Sequence, residues 1–123
     1  MGSVERHLVK EALAELADAP FQQRVWLAGT GPEVGSVVET MSQLFDDSGL
    51  GDAIDAGGEV VFSVEVDELL TALEIEVRSL ASGARPPSEI LADVRLPKIR
   101  ALAAEALFGI VRIEARESRT REV

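Results

Sequence analysis

The stretch "EVVFSVEVDELLTALEIEVRSL", residues 59–80, decides the fold, because it carries two incompatible periodicities. Val60, Phe62, Val64 and Val66 alternate with period two, the mark of a half-buried strand. Val66, Leu69, Leu70, Leu73, Val77 and Leu80 instead fall three and four apart, on one face of a helix. A strand needs company, and the only other alternating segment runs from Val111 to Ala115. Two such strands, distant in sequence, make a marginal sheet. Helix therefore wins from about residue 64 to 82, with Ser63 placed to cap it.

Outward from this segment the helical pattern repeats. Ser3 can cap a first helix to about Asp18, with Val4, Leu8, Ala12, Leu13 and Leu16 as its apolar stripe. "DAP" breaks it, and Pro20 in a first turn restarts a short helix through Trp26, with Phe21 and Val25 facing inward and Trp26 either packed with them or turned to a partner. After "GTG", Pro32 and Glu33 suit the start of a third helix. Its stripe would be Val34, Val37, Val38, Met41, Leu44 and Phe45, and Gly49 its stop. A further turn of helix follows around residues 51–56. Beyond "SGARPPS", Ser88 caps a short helix and Pro97 opens the last, which buries Ile99, Leu102, Ala103, Ala106, Leu107, Ile110 and Ile113. Residues 1–2 and about 117–123 are expected to fray. The fold expected is all-α: one domain, residues 1–123, a bundle of about four main amphipathic helices joined by short helical corners.

Composition narrows the function. Twenty-two acidic residues against twelve basic give a net charge of −10, a field that repels nucleic acid and anionic lipid and attracts a basic protein. No run approaches the roughly 20 apolar residues of a membrane span. Arg6 stands where a myristoylation signal after Gly2 needs Ser or Thr. The absence of cysteine removes disulfides, thiol nucleophiles and thiolate zinc sites, and fits a reducing cytoplasm.

The chemistry-bearing motifs fail on spacing. Gly29, Gly31 and Gly35 are one residue too long for a dinucleotide loop, Pro32 removes an amide donor, and Glu33 repels a phosphate. An EF-hand begun at Asp46 would put Leu50 at position 5 and Gly57 at position 12, so its closing carboxylate is missing. His7 is the sole histidine, and no serine has a local base or elbow motif. Glu39 and Asp46 lie two helical turns, about 10 Å, apart, wide for a hydrolytic carboxylate pair. No enzyme activity, cofactor or metal is expected. The acidic corner at 46–55 is the one place where a small metal-binding protein or enzyme would have its site.

The block from residue 21 to 55, with "WLAGTGPEV" and "LFDDSGL" at its ends, resembles a block of short acidic bacterial proteins of uncharacterised function. Such proteins are immunity-like in character, which implies binding rather than catalysis. The expectation is a non-enzymatic, cytoplasmic protein-binding module, of the immunity or antitoxin kind, that takes a basic protein partner. Its contact residues would be Trp26 as apolar anchor, with Glu33, Glu39, Asp46, Asp47, Asp52 and Asp55 around it. The alternative is a self-associating structural protein, a homodimer using Ile75, Ala81 and Phe108, which lie off the main stripes.

Overall fold

The structure is a computed structural model that describes residues 4–27, 37–56, 59–82 and 86–121. Among them the elements are α1 (Arg6–Ala17), α2 (Ala19–Phe21), α3 (Val37–Ser42), α4 (Leu50–Ala56), α5 (Val64–Ala81), α6 (Pro87–Leu91) and α7 (Leu96–Arg121), with no strand. The fold is all-α, and residues 64–81 are helix. Ser63 Oγ accepts from Val66 N at 3.1 Å, the cap that stops the alternating run from continuing as a strand.

Two helices widen as they end. α2 runs into a π turn at Gln22–Leu27, and α3 into another at Gln43–Asp47. Each π turn accommodates an extra residue, so consecutive apolar side chains can both face inward. Val25 and Trp26 do so in the first, Leu44 and Phe45 in the second. The α3 stripe is corrected accordingly: Val38 is 48% exposed, and Thr40 is buried in its stead. A buried threonine needs a partner, and its hydroxyl donates to Glu15 on α1 at 3.1 Å.

Turn chemistry sets the corners. Asp18 Oδ1 accepts from Phe21 N at 3.1 Å and caps α2. Gly49 has φ 82°, the left-handed conformation that ends α3 and its π turn at little cost only for glycine. Ser3 and the "GTGPEVG" corner lie outside the described residues; the cap position of α1 is Glu5, whose amide donates to the Ser48 carbonyl at 2.8 Å. Ser88 sits inside α6, whose cap position is Pro86.

The core lies between α1, α5 and α7. It includes Val9, Leu13 and Leu16 of α1, Leu70, Leu73 and Val77 of α5, and Ile99, Ala103 and Ile110 of α7. Val9 is fully buried whereas Val4 and Leu8 are half-buried, so α1 turns its stripe further round than the sequence pattern indicated. Gly109 allows α5 to approach α7 closely: a Cβ there would lie 2.6 Å from a Val66 methyl. α7 is helical to Arg121, through most of the segment expected to fray. Its last turns are held to α1 by Arg6–Glu117 at 3.0 Å and Lys10–Glu114 at 2.8 Å.

One buried polar side chain joins three elements. Gln22 donates through Nε2 to the Glu15 and Leu16 carbonyls, at 3.0 and 2.9 Å, and its Oε1 accepts from Arg100 Nε at 2.9 Å. It thus satisfies the end of α1, where backbone carbonyls lack helical partners, and ties it to α7.

Candidate interaction surface

The surface begins with the segment that links α4 to α5. Asp67, in the first turns of α5, reaches back to accept from Val61 N at 2.8 Å and Phe62 N at 3.0 Å. Charge-assisted bonds of this kind are the stronger hydrogen bonds of a protein. They hold residues 60–63 across the start of the helix, half-bury Val61 and Phe62, and leave Val60 outside.

Between this segment, α4 and the outer face of α5 lies a groove of about 570 Å³. Its apolar floor is Ile54, Val60, Val64, Ala72 and Ile75. Ile75 is 64% exposed and Val64 58%, high values for side chains of that size that cluster together. On α5, Val64, Ala72 and Ile75 form a second stripe opposite the buried one, at spacings of eight and three residues. The groove's ionisable lining is Glu59, Asp67 and Glu68, all carboxylates. Residues 37–82 as a whole carry eleven carboxylates and one cation, Arg78. That cation is occupied: it bonds Glu74 at 2.9 Å and lies over the Phe45 ring.

The residues expected at a contact surface are distributed differently. Trp26 belongs to the core at 6% exposure, and its buried indole N–H has no acceptor among the described residues. Of the two readings of Trp26, packing in the core is the one observed and the presented anchor is not: the π turn places it inward beside Val25. Glu33 lies outside the described residues. Glu39, Asp46, Asp47, Asp52 and Asp55 are all exposed, Glu39 on α3, Asp46 and Asp47 at its widened end, Asp52 and Asp55 on α4. Among the described residues no three His, Asp or Glu side chains are grouped to hold a metal ion. His7 is exposed, with Nδ1 3.7 Å from Glu5.

Glu59 and Glu68 went unrecognised in the sequence. The signal was present, because Ile75 off the main stripe, paired with Val64 eleven residues earlier, marks a helix with two apolar faces. Glu15 holds a proton more tightly than an ordinary carboxylate. Burial is the main cause, the charges of Glu11 and Glu39 add to it, and the Thr40 hydroxyl opposes it. It faces the packed junction of α1 and α3, away from the groove, and so is structural.

No helix among the described residues is long and apolar enough to cross a membrane. Fold and groove together define the class: an acidic all-α bundle with an anionic, apolar-floored groove on its surface. Beyond that class the chain has no match among protein-family models, curated proteins or solved structures.

Proposed function

We propose that the protein is a non-enzymatic binding module whose α4–α5 groove takes a basic amphipathic segment of a protein partner. The observation that supports this most directly is the groove's composition, an exposed apolar floor whose ionisable neighbours are all carboxylates. An amphipathic helix with Lys or Arg beside its apolar stripe satisfies both features at once. The apolar contact supplies affinity, while the acidic field of the chain speeds encounter and rejects acidic competitors. Inhibition of a basic partner, in the immunity manner, is the narrower form of this reading, and the net charge of −10 favours it.

The test is calorimetric titration with a helical peptide of Lys and Leu, run beside its Glu-for-Lys counterpart, at low and high salt. The cationic peptide should bind, weaken as salt rises, and lose affinity when Ile75→Ser removes the most exposed part of the floor. Equal binding of the two peptides, or binding indifferent to Ile75, would sink the proposal.

A further inference from the structure

Charge is unevenly divided along this chain. Although the whole carries −10, α7 carries six of the twelve cations and only three carboxylates. Several of these groups are committed within the bundle: Lys98 pairs with Glu76 at 3.2 Å, Arg100 bonds Gln22, and Glu114 and Glu117 pair with Lys10 and Arg6. What α7 presents outward is a different set. Ala101, Ala104, Phe108, Val111 and Ala115 are all exposed and recur at steps of three and four, opposite the buried Ile99, Ala103, Ala106 and Ile110. Phe108 is 64% exposed. Arg112 lies over its ring at 5.7 Å, and Arg116 and Arg119 follow on the exposed surface. With Glu105 as its one exposed carboxylate against Arg112, Arg116 and Arg119, the outer face of α7 is therefore itself a net basic amphipathic helix surface, already folded.

We infer that the occupant of the acidic groove is the outer face of α7 from a second copy of this chain. The inference rests on the groove reading above and names its partner. The two surfaces are complementary in both respects that matter: apolar Phe108 and Val111 against Val60, Val64 and Ile75, and Arg112 and Arg116 against Glu59 and Glu68. No α7 residue lines the groove in its own copy, although Arg112 and Arg116 border Ser63 and Glu65 there and Glu105 borders Glu68. The contact joins unlike patches, groove to helix, and is heterologous.

Heterologous contacts have a distinctive genetic signature, which supplies the test. Sedimentation of the whole chain should show association that grows with concentration up to millimolar. Glu68→Arg disables the groove and leaves α7 intact; Arg112→Glu does the reverse. Each variant alone should associate about tenfold more weakly, since a reversed charge replaces attraction by repulsion. Mixed together they should recover association, because the α7 of the first fits the groove of the second. Phe108→Ser should weaken association on its own, with circular dichroism confirming the unchanged fold of an exposed site.

A wild-type chain that stays monomeric at millimolar concentration overturns the inference, as does association that neither charge reversal weakens. Association lost in Arg112→Glu, kept in Glu68→Arg and not rescued by mixing would instead mean an α7-to-α7 pair, and also overturns it. If the cationic peptide still binds a monomeric chain, only self-recognition fails and the groove reading survives. If neither peptide nor second copy binds, both fail.

Discussion

Replacing Gln22 by leucine keeps the side chain's bulk and removes every polar atom that links α1, α2 and α7. The two carbonyls at the end of α1 and the Arg100 guanidinium would then lose partners now at 2.9 to 3.0 Å. A buried group left unpaired costs about 1–3 kcal/mol. The Leu16 carbonyl is buried and belongs at the upper end, whereas the Glu15 carbonyl and the half-buried Arg100 can recruit water. Together they cost about 4 kcal/mol. Burying leucine in place of a polar amide returns about 2 kcal/mol, leaving a net loss of about 2 kcal/mol. Against a typical total of about 5–15 kcal/mol that is a large fraction. Urea denaturation should show a lowered midpoint with an unchanged slope. Gln22→Glu sharpens the test, because a carboxylate accepts from Arg100 but cannot donate to two carbonyls. At neutral pH it should be less stable than the leucine variant, and it should recover as acid protonates the carboxylate. Unfolding free energies of Gln22→Leu and wild type within about 0.5 kcal/mol of each other, the range of an ordinary surface change, would refute the cross-link.

Other perturbations test other joints. Gly109→Ala should destabilise by about 1 kcal/mol, the strain against stiff Val66 outweighing alanine's better helix propensity, and the same change should become stabilising in a Val66→Ala background. Glu15→Gln keeps an acceptor for Thr40 and removes a buried charge. Because folding raises the Glu15 pKa, its charged form costs stability above the folded value and nothing below the unfolded one, about 4.3. Thermal melts should therefore show a gain near neutrality that disappears in acid; a gain that persists below pH of about 4 would contradict the burial argument. Ser63→Ala should lower stability by about 1 kcal/mol in chemical denaturation through the lost α5 cap. Asp67→Ala should cost about 2 kcal/mol and, unlike Ser63→Ala, speed amide exchange at Val61 and Phe62.

The helices were legible because their stripes are long and their stops are strong. The α5 stripe, the Asp18 and Ser63 caps and the Gly49 stop are local features, decided by residues a few positions apart. What escaped was decided elsewhere in the chain. A π turn leaves the apolar composition unchanged and alters only the residues per turn, so Val25 and Trp26 both turn inward without any sequence mark, and Val38 is left exposed on α3. Thr40 is buried because Glu15 waits across the bundle, and α7 stays helical past residue 117 because Arg6 lies opposite. At the surface, charge totals drew attention to Asp46, Asp47, Asp52 and Asp55. The groove is instead defined by where apolar side chains are left uncovered, which depends on the packing of α4 against the 59–63 segment.

The union of α1 with α7 also sets a timetable. Arg6 and Glu117 stand 111 positions apart in the chain, and the apolar stripe of α1 is covered chiefly by α7, which is made far later. During synthesis, at about 5–20 residues per second, Val9, Leu13 and Leu16 must wait several seconds for their cover. Contacts this distant also slow the search for the native arrangement after release. For this protein the vulnerable moment is its birth, when a nascent helix with a greasy side emerges well before its lid.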